Sequence, residues 1–205
     1  MSKPKNVITI QHPESIHHTN GMIGSWTDWE LSEKGLLQAE NIAQNLKTAF
    51  TTVHFSIYAS SLTRTEQTAR LVANKWDGDY QLIDALRERN LGKAVGKSVQ
   101  WLRDNIESEE HTIYDRCFHD AESKFDVWQR LLPFFTDILH NEEENIIIIS
   151  HGEALSLFHV MWLGLPVESL DSLDLHGVSG GISFLQQAKS GKRVIKRLSD
   201  TSFMQ

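Results

Sequence analysis

Val7-Ile8-Thr9-Ile10-Gln11-His12 and, far along the chain, Ile146-Ile147-Ile148-Ile149-Ser150-His151 are two β-type apolar runs, each closed by a histidine. Strands that alternate with helical patterns lie parallel in one sheet, and the carboxyl ends of such strands form the ligand crevice. Both imidazoles are therefore expected to face one pocket.

Working outward, the apolar period switches repeatedly between two and 3.6. Strands are predicted at Val7 to Gln11, Val53 to Ala59, Asn145 to Ser150, Gly181 to Gln186 and Arg193 to Leu198. One helix carries Leu36, Ala39, Ile42, Ala43 and Leu46 on a single face, beginning near Ser32. A second is expected to be capped by Ser61 or Thr63, a third starts near Lys97, a fourth runs from about Glu122 to His140 through Pro133, and a fifth opens just after His151. The pattern predicts an α/β fold, a three-layer sandwich with a mostly parallel central sheet and helices on both faces. It is expected to be one domain over 1–205, with a helical insertion at about 76–122 covering the pocket.

Composition narrows the function. The chain has 205 residues, 40% of them hydrophobic, with six tryptophans and a formal charge of -7. That is enough apolar material for a sizeable core, and the acidic balance argues against a nucleic-acid partner. The start, Met1 to Asn6, lacks the apolar core of a secretion signal. The longest apolar stretch, Ala154 to Leu165, is broken by Ser156 and His159 and too short to cross a bilayer. The expectation is a cytoplasmic protein with no membrane partner, and the lone Cys117 fits a reducing compartment. No feature speaks to oligomeric state.

The residues after the first strand, Gln11-His12-Pro13-Glu14-Ser15, resemble the Arg-His-Gly-Glu-Ser/Thr signature of the histidine phosphatase superfamily, also called phosphoglycerate mutase-like. Gly24-Ser25-Trp26-Thr27-Asp28 with the segment Leu31 to Ala39 is similar to a second family motif, and Ser60-Ser61-Leu62-Thr63-Arg64 through Ala69 to a third. Leu86-Arg87-Glu88 with Gly92 and Gly96 resembles a fourth, and Ser150-His151-Gly152 a fifth. These five occur in the family's order, and beyond residue 153 the resemblance fades.

The chemistry follows from the residue types. A neutral imidazole attacks phosphorus readily, so His12 is the expected nucleophile, provided its far nitrogen is held as a donor. The transferring phosphoryl group spreads charge over three oxygens and needs fixed donors. Arg64 at a helix start and His151 supply two, and the helix amides near Glu153 are expected to help. Gln11, Ser15, His18 and Gly152 complete the expected phosphate-binding set. The resemblance places Glu88 at the family's acid/base position, with Leu86 and Leu91 as apolar neighbours; a surface glutamate paired with Arg87 or Arg89 is the competing reading.

Three positions depart from the family pattern: Gln11 replaces arginine, Pro13 replaces glycine and His18 replaces asparagine. Losing a guanidinium removes a charge-assisted contact of about 1.5 to 3 kcal/mol, equivalent to roughly a ten- to few-hundredfold rate loss if felt wholly in the transition state. Protonated His17 or His18 is expected to restore part of the charge and to favour mildly acidic conditions. The spacing of His12, His17 and His18 matches no zinc pattern, so no metal and no cofactor are expected. The leading reading is a phosphomonoesterase acting on a small phosphorylated metabolite through phosphohistidine. A phosphoglycerate mutase-type phosphotransferase and a non-catalytic phosphate-binding or regulatory protein are the alternatives. Trp101, Tyr114, Phe118 and His119 are possible leaving-group contacts, and His176 or Ser179 possible rim residues.

Overall fold

The computed structural model describes residues 3–205. Six strands form one sheet in the order β3-β2-β4-β1-β5-β6. These are β1 (Lys5–Gln11), β2 (Ser56–Ser60), β3 (Gln81–Ile83), β4 (Asn145–Ser150), β5 (Ile182–Gln187) and β6 (Arg193–Asp200). The first four are mutually parallel, whereas β5 and β6 add antiparallel to the β1 edge.

Alternation along the strands divides the core between two layers. Ile146 and Ile148 pack with Val127, Leu131, Phe158 and Trp162, on the face covered by α5 (Lys124–His140) and α6 (Gly152–Leu163). Ile147 and Ile149 pack with Ile42, Leu46, Ala69 and Val72, on the face of α2 (Glu33–Ala49) and α3 (Thr63–Asn74). All four isoleucines are fully buried. At about 1.5 to 3 kcal/mol for each such side chain, β4 is a principal source of stability and ties both helical layers to one strand. The expected three-layer arrangement is what the chain adopts.

Two short helices complete the fold, α1 (His17–Asn20) and α4 (Val99–Asn105), with 3-10 turns at Asp84–Leu86, Gly92–Ala94, Val167–Asp171 and Ser202–Met204. Within the segment 76–122, Phe118, Cys117, Ala94 and Ala121 form a small separate core with Ile23. Trp101 packs on Phe118 at 5.9 Å, so these two aromatics belong to that core. Tyr114 and His119 are exposed. No helix among the described residues is long and apolar enough to cross a membrane.

The capping of α3 differs from expectation. Neither Ser61 nor Thr63 caps it; the cap position is Leu62, and Asp28 Oδ1 accepts from the Thr63 amide at 2.6 Å. Ser61 instead accepts from Arg87 Nε and donates to Asp84. A loop 35 residues upstream thus supplies the acceptor that the helix end requires.

Candidate active site

Parallel pairing puts the carboxyl ends of β1, β4 and β2 side by side, with Gln11 opposite Ser150 and Ala59 opposite Ile149. The residues that follow are His12, His151 and the turn from Ser60 to Arg64. The His12 amide donates to Ser150 O at 3.0 Å, so the two landmark loops are joined directly. The rings of His12 and His151 stand edge to face, with centroids 5.1 Å apart. The expected convergence is present in the structure.

His12 is buried, and its Nδ1 lies 2.8 Å from the Pro13 carbonyl. A carbonyl only accepts, so Nδ1 carries the proton and Nε2 keeps its lone pair. Arg64 Nε donates to that nitrogen at 3.1 Å, while its terminal nitrogens donate to Ser25 O at 2.8 Å and Thr27 O at 3.0 Å. Arg64 is therefore aimed by the loop that Asp28 pins to α3. Burial lowers its pKa to about 10, which leaves it charged at neutral pH.

His151 is fully buried, with Nε2 2.8 Å from Ser60 Oγ. Its Nδ1, like Gln11 Oε1, has no hydrogen-bond partner among the described residues. Such unpaired buried atoms cost about 1 to 3 kcal/mol each, a penalty that a ligand can remove. Gln11 Oε1 lies toward Gly177, 3.3 Å from where a Cβ there would stand.

His18 stacks on the His12 ring at 5.6 Å, and His17 stands tilted to it at 5.9 Å. Ser15 reaches the cluster through them: its amide donates to His18 Nδ1 at 3.0 Å and its hydroxyl bonds His17 Nδ1. Gly152 opens α6 under the His176 ring, which a Cβ would approach to 2.3 Å. Ser179 Oγ donates to the His12 carbonyl at 3.0 Å, so His176 and Ser179 both border the site.

The electrostatics correct one expectation. Burial, followed by the Arg64 charge, drives His12 and His151 well below the ordinary imidazole range. Burial, then His18, then Arg64 hold His17 at about 3, and burial with Arg64 lowers His18 as well. The free site thus holds neutral imidazoles around one guanidinium, not the protonated His17 or His18 that sequence proximity implied.

Among the described residues, the Glu88 carboxylate forms no ion pair with the Arg87 or Arg89 guanidinium; its Oε1 accepts instead from the Arg89 backbone amide at 2.9 Å. It accepts from the amides of Glu153 at 3.3 Å and Ala154 at 3.2 Å, capping α6 immediately after His151-Gly152. Those amides, expected to serve phosphate, are therefore occupied. Trp26 Nε1 and Arg130 Nη2 both donate to the Glu88 carbonyl, at 2.6 and 3.2 Å, and fix the segment. Glu153 is the titratable group that motif reading passed over. Burial raises its pKa to about 7, with Arg89 opposing and the neighbouring Glu88 charge adding to the rise.

Among the described residues, no group of three or more His, Cys, Asp or Glu side chains is arranged to hold a metal ion.

Comparison with known proteins agrees with this geometry. Residues 7–201 match the profile of the histidine phosphatase superfamily, branch 1. The chain is 31% identical over 178 residues to a probable phosphoglycerate mutase GpmB of Enterobacter sp. strain 638, covering 84% of this chain and 81% of that protein. It is 27% identical over 183 residues to the fructose-2,6-bisphosphatase of Saccharomyces cerevisiae, covering 85% of this chain but only 38% of that longer protein. Bacillus stearothermophilus YhfR superposes with a TM-score of 0.83 at 21% identity, over 98% of this chain and 100% of that one, a likeness of fold. A sheet that brings His12, Arg64 and His151 together, and a profile match over nearly its whole length, place this chain in the histidine phosphatase superfamily.

Proposed function

We propose that the protein is a phosphomonoesterase that hydrolyses a small phosphorylated metabolite through a phosphohistidine on His12. The observation that carries this reading is the tautomer of His12: Nδ1 is committed to Pro13 O, and Nε2 faces Arg64. In the first step the Nε2 lone pair forms the P–N bond as the ester P–O bond breaks, and Glu88 gives its proton to the departing alkoxide. In the second, water attacks phosphorus, its proton passes to Glu88, and the P–N bond electrons return to Nε2. Arg64 shifts its Nε–H from His12 to a phosphoryl oxygen as the substrate enters. Ser60 donates to His151 Nε2, which leaves His151 Nδ1–H, now unpartnered, for a second oxygen. His18 and Gln11 border the same group, Ser15 orients His17 and His18, and Gly152 keeps the wall beside it open.

The same reading treats 1–205 as one domain in which 76–122 covers the pocket. The buried Cys117, whose thiol pKa burial raises, fits a bystander in a reducing, cytoplasmic setting.

A second reading, a non-catalytic phosphate binder, is favoured by Gln11, whose oxygen is buried where the family carries a guanidinium. Incubation with p-nitrophenyl phosphate and acid-quench trapping of phosphoenzyme separates the two. Turnover and an acid-labile phosphoenzyme, both abolished in His12→Ala, support the enzyme. Phosphate binding without either supports the binder.

A further inference from the structure

Beside the histidine cluster, Arg89 is held by two carboxylates of the protein itself. Glu110 takes the guanidinium fork, Oε1 at 2.7 Å from Nη1 and Oε2 at 3.1 Å from Nη2. Glu153 makes an ion pair at the other edge, its Oε2 2.9 Å from Arg89 Nε but outside hydrogen-bond geometry. The Arg89 side chain is 12% exposed, so the clamp is largely withdrawn from solvent, where charge-assisted pairs are strongest. Arg89 and Glu110 of the clamp line a cavity of about 230 Å³. Glu153 follows His151-Gly152 in the chain, and His111, Thr112, Lys124 and Asp171 line the cavity as well.

Arg89 directly follows Glu88, the group proposed to protonate the departing alkoxide, and its amide donates to the Glu88 carboxylate at 2.9 Å, so in this reading the cavity that Arg89 lines is on the leaving-group side. Its lining holds two cations, Arg89 and Lys124, and two acids, Glu110 and Asp171, while Glu153 pairs with Arg89 from outside the lining. A carboxylate or second phosphate on the leaving group would have to displace Glu110 or Glu153 from Arg89 and leave a partly buried acid without its partner. An uncharged alcohol meets no such penalty and finds hydrogen-bonding groups in Thr112 and His111.

We infer that Glu110 and Glu153 set leaving-group specificity by neutralising Arg89, so that the site takes phosphate esters of uncharged, hydroxylated alcohols and rejects those bearing a second anionic group. This deepens the phosphomonoesterase reading and rests on it.

Glycerol 3-phosphate and 3-phosphoglycerate form a matched pair of probes, differing only in a CH2OH against a carboxylate. Their affinities are read as inhibition of p-nitrophenyl phosphate turnover, and by calorimetry should that turnover be absent. The wild type is expected to bind the uncharged ester at least about tenfold tighter, a difference of about 1.4 kcal/mol. Glu110→Gln and Glu153→Gln, made separately, each narrow that ratio by about tenfold. Equal or tighter binding of 3-phosphoglycerate by the wild type overturns the inference, as does a ratio unmoved in both variants or no binding of either ester. Failure of the phosphomonoesterase reading looks different: no turnover and no phosphoenzyme, while the binding preference persists.

Discussion

Arg64 and His12 meet through one nitrogen each, guanidinium Nε to imidazole Nε2 at 3.1 Å, with the other two arginine nitrogens spent on the carbonyls of Ser25 and Thr27. The arginine is thus an oriented donor pointed at the atom proposed to attack phosphorus. A lysine there keeps the charge but loses the planar fork and both carbonyl contacts. Arg64→Lys is expected to lower kcat for p-nitrophenyl phosphate about 10²- to 10³-fold, the usual cost of a missing donor to a developing oxyanion. Steady-state kinetics against wild type, with circular dichroism to verify folding, check this; a kcat within threefold of wild type would refute the proposed role.

Ser60 acts on His151 from outside the reacting atoms. In the proposed mechanism its hydroxyl, 2.8 Å from Nε2, donates to that nitrogen and so holds the ring in the tautomer that offers Nδ1–H. Ser60→Ala is expected to reduce kcat about ten- to a hundredfold with a smaller change in KM, because the lost donor matters most as charge develops. Nitrogen NMR of the imidazole provides the distinguishing readout. Wild type shows a protonated Nδ1 at His151, and the variant shows a mixture of tautomers; an unmoved spectrum would remove the assignment even if activity fell.

How far these roles were legible in the sequence depends on whether they sit in one contiguous stretch. His12 and His151 follow strands whose apolar runs announce them, and β4 falls on Asn145–Ser150 as its composition implies. Asp28 under α3, Ser60 on His151 and the clamp on Arg89 join residues 35, 91 and 64 or fewer positions apart through the fold, and no local pattern encodes such pairings. The three-residue β3, at the sheet edge and mostly exposed, has too little apolar period to be seen. The same limit applies to His17 and His18: their adjacency to His12 is readable in the sequence, whereas the burial that keeps them neutral is not.

Gln11→Arg tests the family departure directly. Gln11 is buried at the end of β1 with its amide oxygen unpaired, so a guanidinium there would bring charge to the phosphoryl group and remove an orphaned acceptor. The expected result is a roughly ten- to few-hundredfold rise in kcat/KM for p-nitrophenyl phosphate. No rise, in a variant that melts like wild type, would show that position 11 does not border the phosphate.

Gly35 shows how α2 holds the loop that carries His12. A Cβ at this position would stand 1.8 Å from the Glu14 carbonyl, a backbone atom two residues past His12, and Ser32 of the same helix end bonds both Gly35 N and the Glu14 carboxylate. Gly35→Ala therefore has to separate the helix from the loop. A cost of about 1 to 3 kcal/mol is typical of such overpacking. It should lower Tm by about 3 to 10 °C, given the usual 2 to 4 °C per kcal/mol for chains of this size. Because the displaced loop carries His12, kcat should fall with Tm; full activity at reduced Tm would separate the packing from the site.

The buried imidazoles give the stability a definite pH dependence. His12 and His151 are held well below 6.5, and His159, buried in α6 against Thr9 of β1, at about 4. In the unfolded chain all three take up protons near pH 6.5, while the folded protein does not, so the unfolded state binds more protons as pH falls. Their contribution is fully present above pH 6.5 and is lost progressively below it, by about 1.4 kcal/mol per pH unit for each group still neutral in the fold. Tm should be level from pH 7.5 to 7 and fall steeply from 6 to 5. A ligand changes the balance at two of the three, since a bound dianion favours protonated His12 and His151 but leaves His159 beyond its reach. Inorganic phosphate should thus raise Tm more at pH 5.5 than at pH 7.5, measured as the difference with and without phosphate at matched ionic strength. Equal stabilisation at both values would mean that anion binding and imidazole protonation are not linked in this pocket.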